Sequence, residues 1–154
     1  MTLSVLLLGA LGAMLLVAAM GDIRTRIIPN RLNLAIALLA PLFWWANGES
    51  GGAIGLHLGF AGGALVLFGA LFAAGMMGGG DVKLIVALAL WLPPMAMLTM
   101  LVWMAVAGGV LTVIMLAIHA LRRAPGRPEV PYGVAIVAAT FLVMANDILT
   151  QTAA

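Results

Sequence analysis

Long apolar runs alternate with short segments that are polar or rich in glycine, and this alternation is the main pattern of the chain. The runs cover Leu3–Met20, Leu32–Ala46, Gly52–Met76, Val82–Leu92, Met95–Ala120 and Tyr132–Thr150. The first contains about 18 residues, which as an α-helix would measure about 27 Å, close to the hydrocarbon thickness of a bilayer. The pattern therefore predicts an all-α integral membrane protein with about six transmembrane helices.

The basic residues predict the topology of these helices. They lie only in alternate connections between the runs: Arg24, Arg26, Arg31, Lys83, Arg122, Arg123 and Arg127. By the positive-inside rule these connections are cytoplasmic and both termini lie outside. The fourth run, at about 17 Å, is short for a crossing, but we count it as one because otherwise the last arginines would change sides.

The composition supports a membrane protein and excludes several other classes. With 65% hydrophobic residues and a mean hydropathy of +1.23, the chain has more apolar surface than a soluble domain of this size can bury. The absence of cysteine excludes disulfides, thiol catalysis and cysteine-based zinc sites. The basic residues are dispersed as topology signals, so nucleic acid is not an expected partner. The start lacks the basic region of a secretory signal, and we interpret residues 1–154 as one polytopic domain in contact with the lipid bilayer.

Two aspartates are the strongest candidates for chemistry. The topology places Asp22, at the end of the first run, and Asp81, at the start of the fourth, on the same cytoplasmic side. Of the other acids, Glu49 and Asp147 fall on the outer side and Glu129 lies in the basic loop. Two carboxylates that converge share a proton and titrate as a unit, an arrangement that can activate water against an amide bond. We therefore predict a catalytic dyad of Asp22 and Asp81.

The helix dipole suggests roles for the two acids. If the first helix ends at Asp22, the dipole there disfavours negative charge, whereas it favours negative charge on Asp81 at a helix start. On that condition Asp81 is the base and Asp22 carries the proton.

Each of these residues also has a simpler interpretation. Asp81 could only cap a helix, and Asp22 could only pair with Arg24 or Arg26 in a solvated loop. His57 and His119 show no metal-ligand spacing, and we expect both to be packed or interfacial, with no metal or other cofactor bound.

Three further features carry structural expectations. Lys83 points to a different helical face from Asp81, so we expect it to extend towards lipid headgroups. Trp44 and Trp45 are typical of an interfacial belt. The glycines spaced four apart in the third run are typical of tight helix packing; they are Gly51, Gly55, Gly59 and Gly63.

The ordered set of short motifs resembles the type IV prepilin peptidases, membrane aspartic peptidases named for a GxGD motif. Gly78-Gly79-Gly80-Asp81 matches that motif, and Lys83 matches the lysine that commonly follows it. Asp22 with Ile28-Pro29-Asn30 resembles the family's first motif, and Pro131-Tyr132-Gly133 resembles a late segment. GxGD alone is a weak signal, but the set in this order is specific.

This resemblance implies Asp22 and Asp81 as the catalytic pair of a peptidase of the bacterial inner membrane. The implied partner is the hydrophobic N-terminal helix of a prepilin or pseudopilin, cut at the cytoplasmic face. We expect glycines of the third run (Gly55, Gly59, Gly63) and the segment Pro131–Gly133 to pack against that substrate helix.

The chain departs from the larger members of that family. They carry an N-terminal region with paired C-x-x-C motifs, and many also methylate their product. This chain has no cysteine and resembles the short type associated with tight-adherence pili, so we do not expect methylation. The sequence leaves the substrate and the oligomeric state open. It also leaves open a non-enzymatic membrane component, either a small proton-coupled transporter or an assembly subunit.

Overall fold

The computed structural model describes residues 3–122 and 130–152, with the backbone alone for 147–152. In these ranges the regular structure consists of six helices: α1 (Leu3–Thr25), α2 (Asn30–Asn47), α3 (Gly51–Ala73), α4 (Gly79–Ala89), α5 (Pro94–Arg122) and α6 (Tyr132–Thr152). Arg123, Arg127 and Glu129 lie outside the described residues, as does the side chain of Asp147. The predicted all-helical class is confirmed.

Three of these helices are long and apolar enough to cross a membrane. They are α1, α3 and α5, and the Tyr132–Asn146 part of α6 is a shorter apolar helix. Their length and composition support a membrane protein. The number of crossings, the outer termini and the cytoplasmic side of the basic loops stay predictions.

Successive helices run in opposite directions, so the bundle has two distinct ends. At one end the Ser4 hydroxyl approaches the Ala46 carbonyl, which places the start of α1 beside the end of α2. At the other end the starts of α2 and α4 meet through Asn33 and Gly80. The Val134 amide places the start of α6 beside the end of α1 at that same end.

The short helix α4 lies at the centre of the bundle, where it packs against α2, α3, α5 and α6. It is apolar on nearly all sides, and a helix of this kind must be buried. Leu84, Ile85 and Leu88 are inaccessible to solvent, whereas Lys83 is exposed. The core of the bundle is therefore built around the helix that follows the glycine-rich segment.

Two tryptophans join α2 to the end of α4. The Trp44 indole donates to the Leu90 carbonyl at 2.7 Å, and the Trp91 indole donates to the Ile36 carbonyl at 2.8 Å. Trp44 is buried, so the prediction that it belongs to an interfacial belt is wrong, because its indole satisfies a carbonyl freed where α4 ends. Trp45 is 75% exposed, and its belt position stays a prediction.

The glycine stripe of α3 does not pack against a helix of the described chain. Gly51, Gly55, Gly59 and Gly63 have open space where a Cβ would stand. The buried face of α3 is instead formed by larger residues, namely His57, Ala61, Ala64 and Phe68. The stripe therefore does not serve packing among the described helices, because the bundle uses the opposite face of α3. Tight packing of the stripe against another helix stays a prediction.

Candidate active site

Asp81 lies in the first turn of α4, which at 11 residues is not among the helices of spanning length. Its carboxylate turns back to accept the N–H of Gly78, the residue that caps the helix. A Cβ at Gly78 would lie 2.9 Å from Asp81 Oδ2, so a side chain here would displace the carboxylate. Asp81 thus interacts with an N–H group at the helix start, as the capping interpretation predicted.

The surroundings of Asp81 favour its protonated form. Burial, together with the nearby negative charge of Asp22, raises the pKa of the Asp81 carboxyl to about 6. The Gly78 N–H opposes this shift only in part. The two aspartates, 59 positions apart in sequence, therefore lie close enough to interact electrostatically, as the topology predicted.

Asp22 is buried where the end of α1 meets the start of α6. Its Oδ2 accepts the Val134 amide at 3.3 Å, and the Gly133 amide also interacts with the carboxylate. A Cβ at Gly133 would lie 2.9 Å from Asp22 Oδ2, so α6 can approach this closely only through glycine. The positive end of the α6 dipole thus faces the Asp22 carboxylate.

This geometry overturns the dipole argument made from the sequence. Helix α1 continues through Thr25, beyond Asp22, so Asp22 is not the final residue of the helix. The condition on which that argument rested is therefore not met, and the start of α6 supplies N–H donors to the Asp22 carboxylate. Which aspartate carries the proton stays a prediction.

Ile28 is wedged between the segments that carry the two aspartates. It is 5% exposed, and its Cβ would lie 3.2 Å from a Cβ added at Gly80. On its other side, Ile28 Cδ1 would lie 2.9 Å from a Cβ added at Gly133. The two glycines accommodate one isoleucine, so the three motifs quoted from the sequence interlock at a single point.

Polar contacts between the starts of α2 and α4 support this arrangement. Pro29 caps α2, and the Lys83 ammonium donates to Asn30 Oδ1 at 2.8 Å. Lys83 therefore links the segment that follows Asp81 to the Ile28-Pro29-Asn30 motif. The sequence predicted only that Lys83 extends towards lipid headgroups and did not predict this contact. Asn33 was missed from sequence; its Nδ2 donates to the Gly80 carbonyl at 3.0 Å, and it is buried one turn after Asn30.

Arg26 was considered from sequence only as an ion-pair partner, and the structure gives it unusual features. Its backbone φ is 56°, the left-handed region that L-residues with a side chain seldom adopt. Its guanidinium interacts electrostatically with Asp22. Its Nη1 is buried and has no hydrogen-bond partner.

The remaining predicted residues divide between the interior and the surface. Pro131 and Gly133 are buried, whereas Tyr132 is 36% exposed and packs against Gly108 of α5. His57 is buried against Trp44 and the Ala89 carbonyl, as expected for a packed histidine. Contact of Gly55, Gly59, Gly63 and Pro131–Gly133 with a substrate helix stays a prediction.

Two cavities of the bundle lie at the end opposite the aspartates. The larger, about 830 Å³, is lined by residues that include Ser4, Glu49 and His57, and the smaller, about 480 Å³, lies between α5 and α6. Within the described ranges, His, Asp and Glu form no group of three or more that could hold a metal ion.

Comparison with known families bears directly on these motifs. Residues 9–113 match a family model described as the type IV leader peptidase family. The matched region includes both aspartates and ends before α6. Neither the curated proteins nor the solved structures provide a significant match.

Proposed function

Because this chain belongs to the type IV leader peptidase family, we propose that it is a membrane aspartic endopeptidase that cleaves the leader from prepilin or pseudopilin precursors. The observation that carries the proposal is the convergence of Asp22 and Asp81 from two separate helices. Asp22 is buried and Asp81 partly so. The reaction takes place at the cytoplasmic face of the bacterial inner membrane.

The surroundings of the two acids support roles opposite to those suggested by the sequence. Burial disfavours the charged form of both acids. At Asp22 the N–H groups at the start of α6 and a nearby guanidinium oppose this effect, whereas at Asp81 the negative charge of Asp22 adds to it. At the start of the reaction Asp22 is therefore the base, and Asp81 holds the proton.

The chemistry follows from this charge state. The Asp22 carboxylate removes a proton from a water molecule, whose oxygen attacks the carbonyl carbon of the scissile peptide. Asp81 donates its proton to the carbonyl oxygen as the tetrahedral intermediate forms. When the intermediate collapses, the C–N bond breaks, the amine leaves with the proton held by Asp22, and the hydroxyl proton returns to Asp81.

The test is processing of a co-expressed prepilin, followed as a gel shift. We expect Asp22→Asn and Asp81→Asn each to abolish detectable cleavage, because removing one member of a catalytic pair costs about 10²–10⁴-fold. Glu49→Gln is the matched control, since it removes one carboxylate at the opposite end of the bundle. All three variants must be inserted in the membrane at the wild-type level.

The same experiment separates this proposal from a non-enzymatic role. Normal cleavage by either asparagine variant would remove that residue from catalysis. A transporter or an assembly subunit would then become the better interpretation of the two buried acids.

A further inference from the structure

The backbone at Arg26 is held in an unfavourable conformation. In the described parts of the chain it is the one residue other than glycine with a positive φ, at 56°. Its amide donates to the Asp22 carbonyl at 3.1 Å, so the left-handed residue follows directly from the last turn of α1. Such conformations cost energy and are retained where the surrounding structure imposes them. Glycine would adopt this one without that cost.

The side chain of Arg26 adds a second unfavourable feature. Nη1 is shielded from solvent and lacks a hydrogen-bond partner. A buried donor without a partner is rare in proteins and requires an explanation. The Arg26 side chain as a whole is half-buried, and the Asp22 carboxylate is the acid on which its positive charge acts.

We propose that Arg26 is a positioning residue that keeps Asp22 in the ionised form required of the catalytic base. This inference rests on the proposed peptidase function. Burial disfavours a charge on Asp22, whereas the N–H groups at the start of α6 and the guanidinium of Arg26 favour it, and the negative charge of Asp81 on α4 faces the same carboxylate. On α2, the facing side chain Asn33 is neutral, Arg31 is exposed, and Lys83 of α4 is engaged by Asn30. Arg26 therefore offsets the repulsion between the two aspartates.

The variants Arg26→Gly and Arg26→Asn test this role without straining the backbone. Glycine adopts a positive φ freely, and asparagine tolerates it better than other residues with side chains. Both remove the guanidinium, so we expect thermal stability in detergent to be unchanged or higher. We expect cleavage of a prepilin by the detergent-solubilised variants to fall on the acid side of the pH profile, by about tenfold for each pH unit by which the ionisation of the base moves upward.

The pH dependence distinguishes positioning from a structural role. Without the guanidinium, the acid side of the rate profile moves to higher pH, because Asp22 then loses its proton less readily. Arg26→Lys keeps a positive charge and should restore most of the activity and the wild-type profile. Arg24→Gln is the matched control, since it removes an exposed cation two residues earlier and should leave the profile unchanged.

Each outcome decides one question. Wild-type activity and an unchanged profile in Arg26→Gly or Arg26→Asn would overturn the inference while leaving the aspartate pair intact. If neither variant accumulates in the membrane, Arg26→Lys provides the test. A pH–rate profile that is displaced in this variant, although the positive charge is retained, would also overturn the inference. Cleavage by Asp22→Asn would instead refute the proposed function itself.

Discussion

At the scale of single residues, the raised pKa of Asp81 makes the stability of the folded protein depend on pH. Its carboxyl lies beside Asp22 in a partly buried position, and its pKa is raised to about 6. An unfolded chain would release this proton near the ordinary value of 3.8. Between these two values the folded state binds more protons than the unfolded state, so stability falls as the pH rises through this window.

We therefore predict that Asp81→Asn stabilises the protein at pH 7. Asparagine keeps an acceptor for the Gly78 N–H but carries no charge to repel Asp22. The expected gain in the free energy of unfolding is about 1–3 kcal/mol at pH 7. It is close to zero at pH 4, where the Asp81 carboxyl is protonated and therefore as neutral as the asparagine that replaces it. Thermal unfolding in detergent at the two pH values would measure it. Equal gains at both would show that packing, and not charge, is responsible.

At the scale of helices, the site depends on how closely α6 approaches α1. Gly133 provides that approach, and Ile28 fills the space between the starts of α4 and α6. The two acids therefore stay together because three helix ends and one loop interlock. Neither acid is placed by its own helix alone.

We predict that Gly133→Ala impairs cleavage without preventing insertion. The added methyl group would lie 2.9 Å from both Asp22 Oδ2 and Ile28 Cδ1, so either these side chains or α6 itself must shift. Such overpacking costs about 1–3 kcal/mol of stability. A displacement of about 1 Å at the reacting groups lowers the rate by about 100-fold.

Gly9→Ala is the matched control for this prediction, because its added Cβ meets open space and Gly9 lies outside the predicted substrate contacts. The measurement is the gel shift of the precursor, together with the thermal midpoint of each variant. Wild-type cleavage by Gly133→Ala would mean that the close approach of α6 does not position Asp22 for catalysis.

The sequence predicted some of these features and not others, for physical reasons. Apolar runs and charge asymmetry predict the helices and place Asp22 and Asp81 at one end, because both signals are local. The end of α1 was predicted too early, at Asp22, although the helix continues through Thr25. The contact between Asp22 and Val134 joins residues 112 positions apart, and no local pattern predicts it.

At the scale of the whole molecule, the alternating helix directions place the described basic residues at the end that carries the aspartates. Arg24, Arg31, Lys83 and Arg122 all lie at helix ends on that side. This grouping is what the positive-inside rule requires of a cytoplasmic face. The opposite end carries the turn from α2 to α3, with Glu49.

The natural absence of cysteine makes the topology directly testable. We predict that a membrane-impermeant maleimide added to intact cells labels Gly51→Cys but not Ile27→Cys. Both positions are exposed and lie at opposite ends of the bundle. Labelling of Ile27→Cys should require that the inner membrane be opened. Labelling of both from the outside would contradict the proposed cytoplasmic site.

The contact between Asp22 and the start of α6 has a consequence for biosynthesis. Because α6 follows α1 to α5 in the chain, Asp22 has no N–H donors from Gly133 and Val134 until α6 has been translated. An intermediate that contains only α1 to α4 holds both acids but lacks these donors. Under the proposed peptidase function, the catalytic site is therefore complete only once α6 has docked.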